Sequence, residues 1–248
     1  MVLAVRQPAA AEHSMDGPQG TSMSVMEQST GSPSQDELDH TMKSMSMRHM
    51  DMGPHMKMTE LRSPKPGDQQ RADEIVAKLR PAIEKYRNVK VAKADGYKEF
   101  APNVPSPMKH FTNWKHAMKA IFTFDPTEPT SLLYEKDGET YKLIGAMYTA
   151  PKRYSEGDLD ERVPLSIAQW HEHVNFCMPP KDQRSEMLGS HPRFGFKGSI
   201  TTKEECQAAG GKFYPVVFNW MVHVYPFEQT REEMWSVERQ HAGRPPRE

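Results

Sequence analysis

The first 85 of the 248 residues hold no aromatic side chain. Tyr86 is the first, and the 10 Phe, 8 Tyr and 4 Trp all lie from there onward. A segment without bulky apolar groups cannot bury enough surface to offset the entropy of ordering it, so this front end is expected to be disordered. Long apolar runs are missing as well. No stretch approaches the roughly 20 residues that cross a bilayer as a helix, so no membrane span is expected. Neither sign of charge dominates: 32 Lys and Arg face 33 Asp and Glu, for a net charge of −1. That balance argues against a broad nucleic-acid-binding surface. There is no phosphate-binding P-loop, no GxGxxG, no GxSxG and no repeat of solenoid length, so no motif names a reaction.

Cysteine is scarce. Cys177 and Cys206 are the only two. In an oxidising compartment they can close a 29-residue loop, a bond that stabilises by roughly 3 kcal/mol. The alternatives are two reduced thiols, or Cys177 as a metal ligand; without a CxxC, a thioredoxin-like role is not indicated. The start of the chain leaves two readings open. Ala9-Ala10-Ala11 looks like a signal-peptidase site, but the apolar stretch before it is short and broken by Arg6. It is either a truncated export signal or an ordinary disordered terminus.

What the sequence has in excess is methionine, and it is clustered. Residues 1–39 read as a flexible tail. Residues 40–58 then run His40-Thr-Met-Lys-Ser-Met-Ser-Met-Arg-His-Met-Asp-Met-Gly-Pro-His-Met-Lys-Met58. Thioether sulfur is soft, suits Cu(I), and needs no deprotonation, while imidazole also suits Cu(II). Met42, Met45, Met47, Met50, Met52, Met56 and Met58, with His40, His49 and His55, are therefore candidate copper ligands. The spacing lacks a helical period, which argues against a Met-faced helix for protein contact. A copper-transfer protein is the partner such a tract implies.

Three regions follow: a Met/His-rich tail and linker over 1–67, a globular domain over 68–228, and a charged C-terminal tail over 229–248. The domain is expected to open with a helix over Asp68–Tyr86, with Ile75, Leu79, Ile83 and Tyr86 on one face, Asp68 as N-cap and Pro81 as a kink. Ala120–Phe124 reads as a strand, as does Leu165–Phe176. Ser131–Glu135 and Tyr141–Tyr148 read as a hairpin around Asp137-Gly138. Ser155–Arg162 and Thr202–Ala209 read as capped short helices, and Val216–Tyr225 as the final strand. Without βαβ alternation, the fold class is α+β, a mostly antiparallel sheet with peripheral helices.

The sharpest motif is Trp170-His171-Glu172-His173-Val174-Asn175-Phe176-Cys177. On a strand, His171 and His173 share a face with Asn175 and Cys177, and Glu172 faces the other way, which argues against it as a base. Trp220-Met-Val-His223-Val-Tyr225 offers a third imidazole in an apolar strand, beside Met221 and Tyr225. Burial favours the neutral ring, the form that binds metal. His110 can reach the same place as a fourth ligand. Three-His sites suit Cu, Zn or Fe. Met108, Met118 and Met147 read as core.

His55-Met-Lys-Met58, His110-Phe-Thr-Asn113, Ser131-Leu-Leu-Tyr-Glu135, Leu143-Ile-Gly-Ala-Met-Tyr148, Val163-Pro-Leu-Ser166, Gln169-Trp-His-Glu-His173 and Trp220-Met-Val-His-Val-Tyr225 together resemble a family of uncharacterised, predicted exported bacterial proteins. The resemblance implies export and a shared fold, and it leaves the chemistry to the residues. The expectation is thus an exported, periplasmic or extracellular, copper-binding protein with a His171/His173/His223 site, His110 as a further ligand, and a Met/His tail for Cu(I). A mononuclear metalloenzyme, an oxidoreductase or hydrolase on the same histidines, is the first alternative. An interaction domain whose histidines lie far apart is the second.

Overall fold

The computed structural model describes residues 53–102 and 108–235. Met42, Met45, Met47, His49, Met50 and Met52 lie outside the described residues. Ile75, Leu79 and Ile83 do lie on one buried face, in helix α1 (Asp68–Glu84), which continues through Pro81 into a 3-10 turn at Lys85–Arg87. Asp68 is not its N-cap. Gly67 takes that position with φ 87°, and the Asp68 carboxylate instead accepts from Arg62, the Lys65 amide and Ser166. Those donors, Arg62 above all, hold the carboxyl well below its ordinary range.

Eight strands follow in chain order among the described residues: β1 (Met56–Met58), β2 (Lys98–Glu99), β3 (Met108–Thr112), β4 (Ser131–Asp137), β5 (Thr140–Ala150), β6 (His171–Met178), β7 (Lys212–Val216) and β8 (Trp220–Val224). All pairings are antiparallel, in the order β1-β6-β8-β5-β4-β3-β2, with β7 also paired to β6. The short helices are α2 (Val89–Ala94), α3 (Trp114–Lys119), α4 (Glu156–Arg162), α5 (Lys203–Ala208) and α6 (Arg231–Met234). The protein is α+β, with a mostly antiparallel sheet.

The β4–β5 hairpin turns at Gly138, and α4 and α5 each carry the capping box that Ser155 and Thr202 signalled. Other segments depart from expectation. Ala120–Phe124 is no strand: Asn113 caps α3 by accepting from the Lys115 and His116 amides, and the Phe122 and Thr123 amides close back onto Lys119. Five apolar-rich residues carry no period long enough to separate strand from turn. β6 begins only at His171, because the Ile167 and Ala168 amides turn back onto Pro164. The expected final strand Val216–Tyr225 is realised as β8, which begins only at Trp220, and β7 (Lys212–Val216), which the sequence did not signal, ends where it was expected to start.

The fold also reaches past both expected boundaries. β1 pairs with β6, so residues 53–67 are not part of a free tail. Trp235 is only 4 % exposed and joins the core, held by α6, whose Met234 carbonyl accepts from the Tyr225 amide. Its burial outweighs the charge of the residues around it.

The two sheet faces differ. Phe111, Leu132, Ala146, Tyr148, Val222 and Val224 pack under α1 in the main core. The other face carries a smaller apolar cluster, Leu133, Met147, Met221 and Tyr225. A third cluster surrounds the Cys177–Cys206 disulfide, which ties β6 to α5 and decides between the readings left open above. Gly211 lies against it: an added Cβ there would meet Cys177 Sγ at 2.6 Å and Cys206 Sγ at 2.9 Å. Reduction of this bond is expected to lower unfolding stability by about 3–4 kcal/mol, read from urea midpoints with and without reductant. An unchanged midpoint would contradict it.

Candidate metal centre

Register assigns the second face, because directly opposed residues of an antiparallel pair point the same way. Met147 lies opposite His223, Met221 opposite both Thr149 and His171, and Leu133 opposite His110. His110, His171, His173 and His223 therefore share one face, drawn from β3, β6 and β8.

Sheet order makes their closeness informative. β4 and β5 lie between β3 and β8, a separation of about 14 Å in a flat sheet. Yet the rings of His110 and His223 are 5.6 Å apart, centroid to centroid. The sheet must curl toward this face. Phe100, just after β2, likewise lies 6.2 Å from Phe218, in the break between β7 and β8. Within the hollow, His223 and His171 are 5.2 Å apart and His171 and His173 are 5.7 Å apart.

One glycine permits the curl. A Cβ on Gly145 would lie 2.5 Å from the Val224 carbonyl oxygen and 2.9 Å from the Tyr225 ring, so only glycine lets β5 and Tyr225 approach this closely. The Leu143-Ile-Gly-Ala-Met-Tyr148 segment thus carried a readable signal, a glycine inside a strand pattern. The aromatic cover had none. Phe196 packs 4.8 Å from His173 and Phe218 packs 5.6 Å from it, and both come from irregular segments.

The pocket is dry. His171, His173 and His223 are 1 %, 4 % and 3 % exposed, and the buried Nδ1 of His110 has no hydrogen-bond partner. Burial pushes His110 down to about 4. It pushes His173 down to about 3, with the neighbouring His110 and His55 adding to the effect. Both rings are neutral at pH 7, with a lone pair to offer.

The other candidates sort differently. Cys177 is in the disulfide and is no ligand. Asn175 adopts φ 54°, a conformation Asn tolerates. This breaks the alternation of β6 and sends its amide to the Pro54 carbonyl instead of the histidine face. His55 is buried, and each of its ring nitrogens is directed at a backbone carbonyl, Asn175 O at 2.9 Å and Gly198 O at 2.8 Å. In this structure its ring ties the segment before β1 to those two carbonyls. Met118, expected in the core, is 60 % exposed on α3. Glu172 faces away as expected; burial raises its pKa against the pull of Lys57 and Lys152.

Comparison with known proteins gives no match to a family model, to a curated protein or to a solved structure. The site is therefore read from its own geometry. Among the described residues, no group of three or more His, Cys, Asp or Glu is already arranged to hold a metal ion. Imidazole nitrogens bind such ions at about 2.0–2.1 Å, which sets ring centroids about 5 Å apart. Three ring pairs, His110–His223, His171–His223 and His171–His173, lie at 5.6, 5.2 and 5.7 Å, near that spacing, although the side chains as they stand do not form a coordinating set.

The depressed pKa values fix a pH dependence. Below the ordinary imidazole value of 6.5 the unfolded chain takes up protons, while His110 and His173 stay neutral to about 4 and about 3. The unfolded state then binds more protons, so stability falls as pH drops through this window. The urea midpoint of the metal-free protein is expected to decline between pH 6.5 and 4, and less steeply in a His110→Gln/His173→Gln variant. Identical slopes in the two proteins would contradict the burial argument.

Proposed function

We propose that this is an exported copper-binding protein. The observation that carries the reading is the placement of four imidazoles from three strands on one face, with neighbouring rings 5.2–5.7 Å apart, centroid to centroid. The interaction-domain alternative required those rings to lie far apart. The near-complete burial of His171, His173 and His223 favours binding over catalysis, since a metalloenzyme on the same ligands needs an open position for substrate. Zn and Fe suit imidazole too; the soft-ligand tract upstream favours copper. Export is supported by the disulfide, because such bonds persist in oxidising compartments.

The test keeps β1 and removes the tract before it. A chain of residues 53–248, loaded with Cu(II) or Zn(II) and desalted, is expected to retain about one ion by mass spectrometry. His171→Ala and His223→Ala are each expected to remove most of it, with the fold checked by circular dichroism. Full retention in both variants would overturn the proposal.

A further inference from the structure

β1 is the shortest strand that pairs with β6, and it is cut from the end of the methionine tract. Register sets Met56 opposite His173 and Met58 opposite His171. Opposed residues have Cβ atoms about 5 Å apart on one face of the sheet. Met56 and Met58 are both half-buried, and Lys57 between them is exposed, with its ammonium 4.9 Å from the Trp220 ring on the opposite face. Both thioethers therefore flank the histidine hollow at its β6 edge. Met221 opposite His171 and Met147 opposite His223 continue the pattern across the sheet.

The strand is held firmly for its length. The Val174 amide donates to the His55 carbonyl and the Thr59 amide to the Trp170 carbonyl. The His55 ring ties the strand to Asn175 and Gly198, and the Trp170 amide donates to Thr59 Oγ1. The chain entering this anchored strand is the one bearing Met42, Met45, Met47, Met50 and Met52.

We propose that Met56 and Met58 are thioether ligands of the histidine centre, making it a mixed imidazole–thioether site that takes Cu(I). The inference rests on the copper reading above. Neutral nitrogen and sulfur donors suit a soft ion, and at a buried site they leave less charge uncompensated around a monovalent ion than around a divalent one.

The test uses the full chain on a background in which Met42, Met45, Met47, Met50 and Met52 are changed to Leu and His40 and His49 to Gln, so that upstream ligands do not compete. Cu(I) affinity is measured anaerobically by competition with bicinchoninate, and Zn(II) affinity in parallel. Met56→Leu/Met58→Leu, a change that keeps side-chain volume, is expected to weaken Cu(I) binding by about ten-fold or more while leaving Zn(II) within about two-fold. Unchanged Cu(I) affinity would overturn the inference. His171→Gln/His173→Gln separates the two claims. If it abolishes binding of both ions while the Met pair changes nothing, the copper reading stands and this one falls; if it changes nothing, both fall. X-ray absorption compares the Cu(I)-loaded background protein with its Met56→Leu/Met58→Leu variant, because Met147 and Met221 share the face: sulfur in the copper shell that is lost in the variant supports the inference, and a shell without sulfur, or sulfur unchanged in the variant, overturns it.

Discussion

Strand β6 has to satisfy three neighbours at once, and the rest of the molecule follows from how it does so. Its first half pairs with β1 on one side and meets β8 on the other; its second half pairs with β7 and carries the cysteine that is tied to α5. The positive φ of Asn175 marks the switch between the halves. An imidazole pair two residues apart sits on the half held from both sides. Buried there, His173 loses its water and its pKa is pushed down, so that ring is neutral at pH 7.

The curl of the sheet turns this strand-level fact into a site. Paired backbones alone would leave His110 three strands from His223. Gly145 removes the side chain that would hold β5 off Tyr225, and the hollow closes until imidazoles from β3, β6 and β8 touch. Phe196 and Phe218 then cover it. The main core under α1 lies on the opposite face and gives the sheet the support that a polar-lined hollow cannot supply.

Legibility in the sequence followed the range of the interaction. Period-2 alternation in Gln169–His173 and Trp220–Tyr225 was enough to put His171, His173 and His223 on one face, and Asp137-Gly138 marked a hairpin. Serine and threonine followed three residues on by Asp or Glu marked two helix starts. Contacts that depend on distant pairing were not readable. The Met tract looks like tail from its composition, yet its last residues are an edge strand because β6 offers them partners far away in sequence, Met56 opposite His173 and Met58 opposite His171. Nor could the sequence show that the ring of His55 faces the carbonyls of Asn175 and Gly198. Trp235 sits among charges and is still drawn into the core. Where alternation broke at Asn175, so did the assignment of the residues after it.

The central claim is that one metal ion belongs among His110, His171, His173 and His223. The measurement that tests it most directly is anomalous diffraction at the copper absorption edge from crystals of the copper-loaded protein. A single strong peak within the hollow, in contact with at least three of those imidazoles, is the predicted result. Peaks confined to the protein surface, with the four rings packed as they are without metal, would contradict it.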